Sequence, residues 1–441
     1  MDESVLSAGD TAWILTSAAL VLLMLPGLAF FYGGMTRAKA VLNMMMMVMG
    51  AVFLVGILWV LYGYSMAFAT DTGNGLLGSV TEYAGLNGLM TDDPTAVFPA
   101  MAFVAFQAMF ATITVALIAG AIADRVKFGT WMIFAGLWAT LVYFPVAHWV
   151  WGAGGWIFEG LGPLRGTPAI DFAGGTAVHI NAGAAGLALA IVIGRRLGWP
   201  KTPMKPHNLT LVMIGAGLLW FGWFGFNAGS ALAANNTAAV VFMNTFIATC
   251  AAAIGWLIVE KIRDGHATSL GAASGIVAGL VAITPSCSSV SPIGAIILGA
   301  VAGSVCALAV GLKYKFGYDD SLDVVGVHLV GGLVGTLLIG FLATEAAPAG
   351  VNGLFYGGGL TQFWSQLIAA VAVMVYSFVL AFLIGKILDV TIGMRIPDED
   401  EITGVDLTTH AETAYELAES GSGGKFAGVG QAAAKKEEVS V

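Results

Sequence analysis

Eleven stretches of about 20 mainly apolar residues, separated by polar segments, constrain this chain more than any other feature. They cover roughly 11–33, 40–66, 98–122, 130–150, 173–194, 208–230, 238–259, 268–285, 292–312, 324–344 and 363–389. A run of that length crosses the hydrocarbon core of a bilayer as one helix. In lipid every backbone N–H and C=O must be satisfied within the segment, and helices do that. The expected fold class is therefore an all-α integral membrane bundle of eleven transmembrane helices. Composition agrees, since only 10% of the residues are charged, against about a quarter in soluble proteins. Sixty glycines point to closely packed helices. The eighth run is the shortest, rich in Gly and Ala, and stops at Pro285. The segment Met1 to Asp10 has no basic region of a signal peptide, so the first run is read as a true span.

The loops alternate in charge. Arg37, Lys39, Arg125, Lys127, Arg195, Arg196, Lys201, Lys205, Lys261, Arg263, Lys313 and Lys315 all follow odd-numbered spans, and only Arg165 follows an even one. By the positive-inside rule the N-terminus is expected outside and the C-terminus in the cytoplasm. The formal charge of −9 says little about partners, because much of the acid sits in the tail. The chain divides into a transmembrane domain over 1–395, a polar, acidic cytoplasmic tail over 396–420, and a Gly-, Ala-, Lys- and Glu-rich end over 421–441 that reads as disordered.

Two histidines lie inside apolar spans in matched surroundings. His179 in span 5 and His328 in span 10 each follow a valine and have glycines four and seven positions on, at Gly183 and Gly186 and at Gly332 and Gly335. On a helix these positions form one stripe, an imidazole above a track that lets another backbone approach. A single intramembrane histidine can be a packed residue bonded to its neighbour. A matched pair points to function. The recurrence five spans apart implies an inverted repeat of spans 1–5 and 6–10 plus an eleventh helix, with the substrate path at the repeat interface.

Other polar and aromatic positions carry a bland reading beside a functional one. Asp171 and Asp323 stand near the starts of spans 5 and 10, where carboxylates cap helices. Capping is the expected role of Asp323, while Asp171 can also lend negative potential to a cation-collecting mouth. Trp151 ends span 4, where tryptophan is usually an interface anchor but can also hold a cation on its ring face. Phe106 and Phe110 lie one turn apart on span 3, and Trp223 and Phe226 precede Asn227-Ala228-Gly229-Ser230 on span 6. Aromatics at helical spacing are ordinarily core. Met44 to Met47 read as packing, and Cys250, Cys287 and Cys306 show no metal or disulfide spacing. There is no P-loop, zinc-binding helix or nucleophile elbow. No enzyme activity, cofactor, metal or nucleic-acid partner is expected. Polar chemistry at depth is nearly confined to two imidazoles, which suits a small, nearly neutral cargo.

These residues resemble the ammonium transporter family (Amt, Mep and Rh proteins) from span 1 to about Tyr415. The matching stretches include Pro26-Gly27, Phe31-Tyr32-Gly33-Gly34, Phe106-Gln107, Phe110-Ala111, Ala147-His148, Trp151-Gly152, Asp171 to Gly175, Val178 to Asn181, Gly222 to Ser230, Thr284-Pro285, and Asp323 through His328. Trp151 and the Asn-Ala-Gly-Ser run resemble the bacterial, fungal and plant branch more than the Rhesus proteins. The resemblance implies a homotrimer in the cell membrane with one pore per subunit. It assigns Trp151, Phe106, Phe110, Ser230 and Asp171 to an outer ammonium site, Phe110 and Phe226 to a gate, and His179 and His328 to the lumen. Trp223, Thr284 and Asp323 would line or support the pore. Ile402 to Asp406 resembles the family's cytoplasmic coupling segment, and a PII-type signalling protein is the implied partner of that face.

Elementary energetics favour the same mechanism. A bare cation entering hydrocarbon costs on the order of 20 kcal/mol in the Born limit. Taking a proton from ammonium costs about 1.4 kcal/mol per unit between its pKa and ambient pH. Deprotonation is the cheaper route, and potassium has no proton to lose. Buried imidazoles should start neutral, one donating and one accepting, and so can pass a proton without holding two charges. Three alternatives remain: a secondary transporter of another small solute, an intramembrane metalloenzyme with a third ligand near the histidines, and an ammonium sensor.

Overall fold

A computed structural model describes residues 5–91 and 93–415; the expected disorder over 421–441 concerns residues outside that range. The described chain is helical, with three isolated β-bridges in its loops. Ten helices are long and apolar enough to cross a membrane: α1 Ala8–Met35, α2 Val41–Phe68, α3 Ala100–Ile122, α4 Phe128–Trp151, α5 Gly175–Ile193, α6 Leu209–Gly229, α7 Asn236–Asp264, α9 Pro292–Phe316, α10 Val325–Leu342 and α11 Thr361–Thr391. Between α7 and α9 lies α8, Ser269–Ile283, apolar but of only 15 residues. At 1.5 Å per residue it reaches about 22 Å, short of a hydrocarbon core.

Protein surrounds α8, and that allows its brevity. Gly275 and Gly279 lie against Ala253 and Thr249 of α7. The helix stops at Thr284, and the turn that follows is buried rather than facing lipid. Its carbonyls find partners there, since Asn244 Nδ2 donates to Cys287 O at 2.9 Å and to Val290 O at 2.8 Å. Irregular backbone is tolerated at membrane depth when protein covers it.

Two pairs of helices meet closely through glycines. α1 and α6 cross antiparallel, Ser17 facing Gly225 and Gly229, Met24 facing Gly222 and Phe31 facing Gly215. α5 and α10 also meet through the glycines that follow their histidines. A Cβ on Gly183 would stand 2.5 Å from the Leu329 backbone nitrogen, and one on Gly332 would stand 3.2 Å from His179 Cβ. The glycine four residues after each histidine thus admits the other histidine's segment. Those segments, Gly175–Ile180 and Val325–Leu329, are both wound as π-helix, a local widening that favours functional positions.

Beyond α11 the chain folds back on the bundle as two short helices, α12 Asp398–Thr403 and α13 Val405–His410. The Glu401 carboxylate is buried and accepts from Arg395 Nη2 at 2.6 Å, Leu197 N at 2.8 Å and Arg37 Nη2 at 3.5 Å. Asp406 caps α2, accepting from Leu42 N at 3.0 Å and Asn43 N at 2.7 Å. Between them Gly404 has φ +123°, and a Cβ there would meet Lys39 Cβ at 2.7 Å. Its conformation and its space both require glycine.

Candidate functional site

A continuous file of rings runs inward from the end of α4. Trp151, partly exposed, sets an edge against Phe110 at 5.8 Å, and Phe106 meets the same ring at 4.9 Å. Phe110 stacks on Phe226 at 4.1 Å with planes 23° apart. Phe226 lies 6.2 Å from the His179 ring, and Trp223 stacks on that imidazole at 5.4 Å. His179 and His328 follow at 5.3 Å between centroids. Both stacked phenylalanines are fully buried, so the file is closed beneath Trp151.

Below the stack lies a void of about 10 Å³, room for roughly one water-sized molecule. Its lining is apolar apart from His179 and His328, and includes Leu28, Ile113, Leu117, Trp223 and Phe226. The two imidazoles touch through Nδ1 atoms 3.2 Å apart. One Nδ1 must carry the hydrogen and the other accept it. In the neutral pair the donor ring then has a bare Nε2 and the acceptor ring an Nε2–H, so its two ends have opposite polarity. Nε2 of His179 is buried without a hydrogen-bond partner among the described residues. No third His, Cys, Asp or Glu joins the pair as a metal site among them.

The supporting residues have specific tasks. The Trp223 indole donates to Thr284 Oγ1 at 2.8 Å, which fixes the ring that covers His179. Ser230, a partly exposed residue, caps α6 and donates its hydroxyl to Phe226 O at 2.9 Å, leaving the lone pairs of its oxygen free to accept. Asp171 is buried and its carboxylate accepts four N–H groups at 2.6–2.9 Å, from Gly174, Gly175, Thr176 and Ala177. Burial pushes this carboxyl above its ordinary value while the four bonds oppose the shift. It reaches the mouth indirectly, because its own backbone carbonyl accepts the Trp151 indole N–H at 2.9 Å.

The expected cap of α10 needs correction. Asp323 has φ +63° and pairs with Lys313 Nζ at 2.7 Å. The cap is Asp320, whose carboxylate oxygens accept from Val324 N at 3.1 Å and Val325 N at 2.7 Å. Asp171 precedes His179 by eight residues and Asp320 precedes His328 by eight. That equal spacing was the available signal, and the nearer aspartate obscured it. Sequence reasoning placed His148 in a family-like stretch but gave it no role; it is buried and bonds Asp71 across 77 positions.

Comparison with known proteins accords with this arrangement. The Ammonium Transporter Family matches residues 12–415. The chain is 59% identical to an ammonium transporter of Mycobacterium tuberculosis over 439 residues, covering 93% of this chain and 91% of that one. It is 47% identical to the Bacillus subtilis ammonium transporter over 412 residues, covering 92% and 98%. Among solved structures, Saccharomyces cerevisiae Mep2 superposes with a TM-score of 0.83 at 31% identity, covering 95% and 93%. A sensor Amt protein superposes at 0.82 with 27% identity, covering 91% and 98%. With its apolar helices and paired histidines, this chain is a multi-pass membrane protein that belongs to the ammonium transporter family, a family of transporters rather than enzymes.

Proposed function

We propose that the protein takes up ammonium across the cell membrane by splitting it into ammonia and a proton. In this reading eleven helices span the membrane as an inverted repeat of five plus one. The N-terminus and Trp151 lie outside, and the tail lies in the cytoplasm. Ammonium is recruited by the faces of Trp151, Phe106 and Phe110 and by the Ser230 oxygen, with Asp171 holding the site in shape. Below the gate of Phe110 and Phe226 the cation cannot keep its hydration, so it gives up its proton and ammonia enters. The observation that carries this reading is the Nδ1–Nδ1 contact of His179 and His328 at 3.2 Å, set in an otherwise apolar void. Ammonia hydrogen-bonds to the outer imidazole nitrogens, the Nε2 atoms, as it passes. A proton accepted at one outer nitrogen and released from the other moves along the pair by shifting both tautomers.

The functional unit in this reading is a homotrimer, and residues 396–420 form its regulatory tail, the surface for a PII-type signalling protein. The likeness to a sensor Amt protein favours one second reading, in which the same pore senses ammonium and the tail transmits the result.

The test is reconstitution in liposomes with an ammonium pulse, recording internal pH and current. His179→Ala and His328→Ala should each cut the ammonium response or admit potassium. Unchanged flux and selectivity in both would reduce the histidines to packing residues. Trp151→Leu should raise the half-saturating concentration about three- to thirtyfold, the range of a cation–π contact from exposed to desolvated.

A further inference from the structure

His148 lies on the last turn of α4, one turn before Trp151, and is fully buried. Its Nδ1 is 3.0 Å from the carbonyl of Ala67, near the end of α2, and its Nε2 is 3.2 Å from Asp71 Oδ1 in the loop beyond. A carbonyl oxygen only accepts, and so does an ionised carboxylate. For both contacts to be hydrogen bonds, both ring nitrogens must donate. The other solution puts a proton on Asp71 and leaves Nε2 bare. Asp71 Oδ1 argues against it, because that oxygen also accepts from Gly75 N at 2.9 Å and Gly73 N at 3.3 Å. Three donors converging on one oxygen suit an anion. Burial pushes the Asp71 carboxyl up, but the bonds from Gly75, His148 and Gly73 outweigh it and hold it below its ordinary value.

The surrounding chain is moulded to this pair. A Cβ on Gly152 would stand 2.5 Å from His148 Nδ1 and 2.6 Å from Ala67 O, and one on Gly154 would stand 2.6 Å from Asp71 Cβ. Trp149 repeats the link one residue on, its indole donating to Leu76 O at 2.8 Å. The 71–76 loop is thus tied to the turn that ends in Trp151. Trp151 is in turn fixed from the other side by the Asp171 carbonyl.

We infer that the buried His148 and the partly exposed Asp71 form an imidazolium–carboxylate lock that positions Trp151, and that breaking it weakens ammonium recruitment without blocking passage. The lock is a new assignment to the mouth, and its functional half rests on the proposed recruitment role of Trp151. Among the described residues Asp71 is the one charged side chain bonded to the imidazole, and α2, α4 and their loops supply the rest of the enclosure through carbonyls and glycines.

The full-length protein in lipid bilayers, labelled with ¹⁵N-histidine, allows a direct test. The His148 resonances are assigned by their loss in His148→Gln. At neutral pH both ring nitrogens should carry hydrogen in the wild type, and Asp71→Asn should leave one of them bare. In liposomes Asp71→Asn should raise the half-saturating ammonium concentration roughly five- to tenfold, the difference between a charge-assisted and a neutral hydrogen bond, with maximal flux within about twofold of wild type. A bare His148 nitrogen in the wild-type spectrum overturns the imidazolium. An unchanged half-saturation in an Asp71→Asn protein whose His148 has lost its proton overturns the positioning role. Failure of the recruitment reading shows up separately, as unchanged half-saturation in Trp151→Leu while His148 keeps both hydrogens.

Discussion

Asp171 and Asp320 each stand eight residues before a buried histidine, and each accepts backbone N–H groups at the start of its helix. Asp171 accepts four such bonds and Asp320 two. Among the described residues no other charged group lies at bonding distance of the Asp171 carboxylate, and its carbonyl holds Trp151. Around Asp320 the setting is ionic, with Lys313 Nζ donating to its backbone carbonyl at 3.1 Å and bridging to Asp323. Burial pushes the Asp320 carboxyl up to about 6, and Asp323 adds to the rise. One helix start is closed entirely by backbone, and the other is part of a charged loop region. The difference shows how a repeated cap can serve a rigid aromatic mouth at one end and a charged loop at the other.

The comparison breaks first at Asp171. Asp171→Ala orphans four buried N–H groups, each worth about 1–3 kcal/mol when left unsatisfied. It also loosens the carbonyl that holds Trp151. Ammonium flux in liposomes should fall by at least tenfold, and thermal unfolding should show several kcal/mol of lost stability. Asp171→Asn keeps an accepting oxygen and should recover part of the stability. Asp320→Ala orphans two N–H groups, so its stability loss should be about half as large. His328 would remain near its partner through the Gly183 and Gly332 contacts, and measurable flux should persist. Equal losses at the two sites would show that the number of bonds does not set the difference.

How much of this was legible in the sequence follows from which signals are local. The helices are read from runs of apolar residues, and all eleven expected segments correspond to helices, with α8 shorter than its run. Its last residues form a turn because protein replaces lipid around them, a tertiary circumstance that hydropathy does not carry. The contacts of Gly183 and Gly332 were readable from spacing alone, since i+4 fixes the face. Asp320 was legible only by comparing distances to the two histidines, and Asp323 lay closer. The bond from His148 to Asp71 spans 77 positions with no periodicity to reveal it. Likewise Glu401 looked like one acid among several, and only the fold shows it buried between Arg37 and Arg395.

A smaller effect is expected where the tail meets the bundle. Gly404→Asp places a side chain against Lys39 and forces an unfavourable φ, so α13 should lift from α2 and release the Asp406 cap. Losing an N-cap costs about 0.5–2 kcal/mol. Limited proteolysis should cut the variant near residues 403–406 at concentrations that spare the wild type. Transport should be deregulated rather than lost. Truncation at Pro397 should have the same effect, and truncation at Gly421 should spare transport. If both truncations transport identically and are equally stable, the tail has no coupling role.

The smallest effect belongs to the residue first expected to cap α10. Asp323 and Lys313 form a single ion pair, 2.7 Å long, with the carboxylate side chain 26% exposed. Pairs open to solvent contribute about 0–1 kcal/mol, and this one lies nearer the upper end because the lysine side chain is only 10% exposed. Asp323→Asn keeps the shape and removes the charge. It should therefore shift stability by no more than about 1 kcal/mol and leave flux within roughly twofold. The neighbouring Asp320 supplies the informative contrast in the same unfolding assay. If Asp323→Asn cost as much as Asp320→Ala, the stability of this helix start would reside in the ion pair and not in the cap. The eight-residue match between the two histidine helices would then be a coincidence of spacing.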